Sequence, residues 1–185
     1  SVKFNVLQPT ARGRQMHASG ETIDLNELIS LGKWVDGELA STTALTLCFH
    51  QPPAFRSLGK MFNAVTGDGC HSCGVLRILG VLADGSFALC GIGETVPEMV
   101  FGHAGRDALR EVWLHAPVLE QLREGLPEKL QGICADCLMK HLCMGSCIAQ
   151  NYYRQRDLWA PFWYCEEARG RGLFPETRIR PGKAS

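Results

Sequence analysis

The chain has 185 residues, 45% of them hydrophobic, and its 19 basic side chains are balanced by 19 acidic ones. That is enough apolar material for the core of one domain or two small ones and argues against disorder, while a net charge of zero gives no electrostatic case for nucleic acid or a membrane surface as partner. No apolar run approaches the ~20 residues that cross a bilayer and no basic-then-apolar leader opens the chain, so the nine cysteines are expected as thiols in a reducing cytoplasm, with no membrane partner.

Val2 to Leu7 alternates apolar and polar residues and predicts a strand, stopped by Gln8-Pro9-Thr10-Ala11-Arg12-Gly13-Arg14. That loop reads first as a solvated, arginine-bearing connection, with a ligand-facing turn as the alternative. A helix is predicted over Leu25 to Val35, with Asp24 as N-cap, Glu27 completing a capping box and Gly37 as the stop. Thr43 to Phe49 predicts a second strand carrying Cys48, which reads as a buried free thiol. Phe55, Leu58, Phe62 and Val65 recur at helical intervals and predict a helix over Ala54 to Val65. Strand, helix, strand, helix is the order of two parallel βα units. Two such units leave apolar faces without partners, so we expect the chain to be the C-terminal part of something longer.

Thr66-Gly67-Asp68-Gly69 marks an expected boundary, giving domains 1–66 and 67–185. Cys70-His71-Ser72-Cys73 follows, then two β-prone runs, Leu76 to Ala83 and Ser86 to Gly91, joined by Asp84-Gly85 as a hairpin. The hairpin is expected to fold Cys90 back toward Cys70 and Cys73. Asp107 to His115 reads as an amphipathic helix in which Trp113 supplies support, with a further apolar segment around Val118, Leu119 and Leu122. Cys134 to Cys147 reads C-x2-C-x5-C-x3-C, four thiols too closely and regularly placed for core packing and spaced for a metal site or an iron–sulfur cluster. Ile148 to Leu158 predicts another helix. Phe162, Trp163 and Tyr164, beside Cys165, either shield a cofactor or supply core. The stretch from Arg169 to Ser185 carries five basic residues with Gly and Pro, and is expected to fray into solvent.

With Cys48 set aside, Cys70, Cys73, Cys90, Cys134, Cys137, Cys143, Cys147 and Cys165 are enough for two four-cysteine sites, holding either two iron–sulfur clusters or two zinc ions. His71, His103 and His141 are read as supporting or exposed side chains, because the thiols already suffice. A zinc-stabilised protein-binding module without redox chemistry is the competing reading. Its weakness is that the C-x2-C-x5-C-x3-C block is a poor copy of a paired zinc ribbon.

The pattern C-x11-G-x4-C from Cys73 through Gly85 to Cys90, the Cys134 to Cys147 block and the separate Cys165 resemble the seven-cysteine signature of the SPASM domain. This is the auxiliary-cluster domain of many radical S-adenosylmethionine enzymes. The resemblance implies an α+β fold: a small cluster domain of hairpin, helices and cysteine loops, after two βα units that look like the end of a partial (β/α)6 barrel. The P-T-A-R-G-R loop is similar to a P-x-G-R-G segment often found in such barrels. The resemblance further implies two 4Fe–4S clusters, the first on Cys70, Cys73, Cys90 and Cys147 and the second on Cys134, Cys137, Cys143 and Cys165. It also implies a peptide or protein substrate and an electron carrier of flavodoxin or ferredoxin type. The C-x3-C-x2-C loop that would hold a third cluster and S-adenosylmethionine does not occur in this sequence. By this reading the chain alone is inactive and radical chemistry belongs to a missing N-terminal part.

Overall fold

The structure is a computed structural model and describes residues 1–62 and 73–182. Its fold is α+β. Strand β1 (Val2–Phe4) pairs in parallel with β2 (Leu47–Phe49), Val2 opposite Leu47 and Phe4 opposite Phe49. Between them lie α1 (Arg12–Ala18), α2 (Leu25–Trp34) and α3 (Ala40–Thr42). The parallel pairing follows from a helical crossover, which is what the strand–helix–strand order predicts.

The loop read at Pro9 to Arg14 turns into α1 at Arg12, and both arginines of that turn are exposed. Gly13 is required there: a Cβ would stand 2.2 Å from the Gln8 carbonyl oxygen. The capping box forms as predicted, the Asp24 carboxylate accepting from the amides of Asn26 (2.7 Å) and Glu27 (3.2 Å) and the Glu27 carboxylate accepting from the Asp24 amide (2.8 Å). Gly37 does not stop the run. The helix continues through a π turn at Val35–Leu39 into α3, because buried Val35 keeps that side on the core while Gly37 sits at the exposed face, where its cost is only its helix propensity.

The helix expected over Ala54 to Val65 is divided. Pro53–Phe55 forms one 3-10 turn, Arg56 is extended, and α4 spans Leu58–Phe62; residues 63–65 lie outside the description. Arg56 breaks the helix by turning inward, where it is buried with its Nε 3.7 Å from the Asp36 carboxylate. Cys48 is half-buried on β2 opposite Lys3 and is disulfide-bonded, not the buried free thiol expected. The glycine-rich boundary and Cys70-His71-Ser72 lie outside the described residues.

The hairpin is present with shorter strands, β3 (Gly80–Val81) and β4 (Ser86–Ala88), closed by the Leu82 amide on the Ser86 carbonyl (2.8 Å). A third strand, β5 (Val100–His103), adds antiparallel to β4 and was not legible, since Gly102 interrupts a four-residue run with little alternation. Helices α5 (Leu109–His115) and α6 (Pro117–Gly125) follow and pack on each other, and Arg123 clamps them by donating to the Trp113 and Leu114 carbonyls while lying over the Trp113 ring. The supporting role read for Trp113 fits this contact.

Four short helices complete the chain: α7 (Gly132–Asp136), α8 (Lys140–Cys143), α9 (Ile148–Gln155) and α10 (Trp163–Gly170). A single apolar cluster joins Leu25, Leu28 and Ala54 of the first segment to Leu122, Ile148, Tyr164 and Phe174 of the second. Phe55 links them through edge-on contacts with Tyr164 (5.1 Å) and Phe174 (5.6 Å). Among the described residues no helix is long and apolar enough to cross a membrane.

Candidate metal centre

Short helices and tight turns deliver the thiols. Cys134 lies inside α7 and Cys137 caps its C-terminus; Cys143 ends α8; Cys147 is the N-cap of α9; Cys165 stands in the first turn of α10. Cys134, Cys137, Cys143 and Cys165 border one pocket, together with Leu130, Ile133, Met139 and Phe174. Among the described residues, no three His, Cys, Asp or Glu side chains close on one point as ligands of a single ion do.

Amides are aimed at these sulfurs. The Met139 amide donates to Cys137 Sγ (3.3 Å) and the Phe162 amide to Cys134 Sγ (3.5 Å). Between Cys143 and Cys147 the backbone takes three successive left-handed residues, Met144 (φ 53°), Gly145 (φ 77°) and Ser146 (φ 59°). Such a run turns consecutive N–H groups inward into an anion-binding concavity, and the Ser146 and Gly145 amides bond to Cys143. Asn151, almost fully buried, fixes the loop by donating from Nδ2 to the Gly145 carbonyl at 3.0 Å.

The C-terminal stretch is not a frayed tail. Phe174 and Ile179 are buried, the Leu138 amide donates to the Arg178 carbonyl (2.8 Å), the Arg180 amide donates to the Asp136 carbonyl (3.0 Å), and Cys137 bridges Ile179 antiparallel. Two apolar anchors and main-chain bonds outweigh the Gly, Pro and charge content that suggested disorder. Residues 183–185 lie outside the description.

Burial dominates the electrostatics. Desolvation pushes the Cys134 thiol up to about 11 and Cys143 up to about 12, and raises Cys165 well above its ordinary value; neighbouring cysteines add to each rise. Cys137 is also raised by burial, countered by the Met139 amide and then by the Arg178 guanidinium. As thiolates these groups need compensating positive charge, which metal coordination provides. Without metal they fold as neutral thiols. A folded value near 11 against an ordinary 9.0 stabilises the fold below pH 9.0 and is lost as pH rises through the folded value. The thermal midpoint of the metal-free chain should therefore fall between about pH 9 and 11, whereas coordinated thiolates should remove that dependence.

A second group forms around Cys147. Burial raises its thiol to about 11, and Cys73 and Cys90 lie near enough to add to the rise. Cys73 is itself raised by burial and by Cys90. Cys90 packs beside the hairpin's first strand, since a Cβ on Gly80 would meet its Cα at 3.1 Å. Cys70 and His71 lie outside the described residues. His103 braces the hairpin turn through the Asp84 carbonyl (2.8 Å), and His141 is exposed, 3.6 Å from Glu128. Phe162, Trp163 and Tyr164 serve the core, and Trp163 Nε1 donates to Gln8 Oε1 at 2.9 Å. Lys140 and Arg178 were missed as site residues. Lys140 is buried along the pocket wall and paired with Glu128 at 2.7 Å, and Arg178 lies in the C-terminal stretch, its carbonyl bonded by the Leu138 amide; no local pattern marks either.

A search of curated proteins and a search of solved structures each found no match. The SPASM family model, described as an iron-sulfur cluster-binding domain, matches residues 70–138, under half of the chain. That span contains Cys70, Cys73, Cys90, Cys134 and Cys137, while Cys143, Cys147 and Cys165 follow it. Over residues 70–138 the chain is therefore similar to the SPASM iron–sulfur cluster-binding domain.

Proposed function

We propose that the chain binds two 4Fe–4S clusters and is the auxiliary-cluster part of a radical S-adenosylmethionine maturase acting on a peptide or protein. The observation carrying this reading is the pocket bordered by Cys134, Cys137, Cys143 and Cys165, beside the matched domain and furnished with amides directed at the sulfurs. A cluster there would supply one-electron transfer and brace the substrate-binding part of the enzyme. Cys134, Cys137, Cys143 and Cys165 would hold one cluster; Cys73, Cys90 and Cys147 would hold the other.

The chain's own residues have distinct tasks in this reading. Burial by Leu130, Ile133 and Phe174 keeps water from the sulfurs, and N–H···S bonds favour the more negative state, both of which set reduction potential. With four cysteines around it, the Cys134, Cys137, Cys143 and Cys165 cluster would relay electrons and not ligate substrate. An electron carrier of flavodoxin or ferredoxin type would deliver the reducing equivalents.

Anaerobic reconstitution followed by iron and acid-labile sulfide analysis tests the reading. About eight irons and as many sulfides per chain are expected for two four-iron clusters. Stoichiometric zinc without sulfide in anaerobically prepared protein would replace it with a zinc-stabilised binding module.

A further inference from the structure

We infer that Arg178 is the cationic group that raises the reduction potential of the cluster held by Cys134, Cys137, Cys143 and Cys165. This rests on the cluster-binding reading above and concerns a residue outside the ligand set. The main chain fixes its place: the Arg178 carbonyl accepts from Leu138, the residue after Cys137, and neighbouring Ile179 bridges Cys137 itself. The guanidinium is held inward by Nη2 donating to the Arg56 carbonyl at 3.2 Å. Its Nε is buried and has no hydrogen-bond partner among the described residues.

The other charges nearby are weaker candidates. Lys140 lines the same pocket, yet its ammonium is paired at 2.7 Å with Glu128. Glu166, on the Cys134 and Cys165 side, is exposed and donates nothing positive; its carboxylate accepts from the Ile133 amide. Among the described residues no carboxylate pairs with Arg178, so its charge is not cancelled locally. One-electron reduction makes a cluster more negative by one charge, and a fixed cation on the segment paired with Cys137 stabilises the reduced form preferentially.

The test is a redox titration of the reconstituted full chain with dithionite as electron donor, each cluster followed by electron paramagnetic resonance. Arg178→Met should lower the midpoint potential of this cluster and leave that of the Cys73, Cys90 and Cys147 cluster unchanged. Arg178→Lys, which keeps the charge but changes the bond to Arg56, should stay close to the parent. Equal shifts in both variants would assign Arg178 a merely structural role and overturn the inference, as would an unchanged potential in Arg178→Met. If Arg178→Met fails to hold the cluster, Arg178→Gln, still able to donate to the Arg56 carbonyl, takes its place with the same two outcomes. A parent chain that binds no cluster would instead overturn the cluster-binding reading itself.

Discussion

Replacing Cys147 with alanine should remove about half of the bound iron, leaving about four irons per chain in place of about eight. Cys147 is separated from Cys143 by only three residues, but the left-handed turn at Met144 to Ser146 sends the two thiols to different neighbours. Cys143 faces Cys134 and Cys137, whereas Cys147 faces Cys73 and Cys90. The surviving spectrum should be that of the Cys134, Cys137, Cys143 and Cys165 cluster, and Cys165→Ala should give the reciprocal result. Selective loss of the Cys165 cluster in Cys147→Ala, read by iron analysis and electron paramagnetic resonance, would contradict the division of ligands.

Gly145→Val should strongly destabilise the loop that carries Cys143 and Cys147. Gly145 sits at φ 77°, and a Cβ there would stand 2.9 Å from both Ile148 Cδ1 and Leu130 Cδ2, two nearly inaccessible side chains. Left-handed strain costs about 1–2 kcal/mol and overpacking about 1–3 kcal/mol, together about 2–5 kcal/mol. For a chain of this size that lowers the thermal midpoint by roughly 5–15 °C. Because the same loop carries Cys143 and Cys147, iron content should fall at both clusters, unlike the selective loss in Cys147→Ala. Ser146→Gly is the control: at φ 59° glycine relieves strain, and stability should change by less than about 1 kcal/mol. Thermal unfolding of the two variants under anaerobic conditions checks the contrast, and equal destabilisation would show that the turn's left-handed geometry is not what matters.

The features legible before the structure are those written in short stretches of chain. Asp24 and Glu27 announce a capping box because both partners lie within one helical turn. Asp84-Gly85 announces a hairpin for the same reason, and the parallel pairing of β1 with β2 follows from the helices between them. The opposite cases share a cause. Phe55 and Leu58 keep a helical interval across two elements, because Arg56 is drawn inward to Asp36, twenty residues earlier. β5 has too weak a pattern to show itself and is held by its pairing with β4. The stretch beyond Arg169 has the composition of a frayed end, yet Phe174 and Ile179 find a buried surface that composition does not reveal.

At the candidate centre the sequence by itself determined the number of thiols, their spacing and the kind of chemistry they suit, because those are properties of residue type and separation along the chain. Tertiary structure decided what surrounds them. Lys140 is buried against the pocket wall, Asn151 holds the Gly145 carbonyl, and Arg178 is laid beside Cys137 by a strap 41 residues further along the chain. Burial and electrostatic environment are sums over neighbours distant in sequence, so they exist only once the chain has packed.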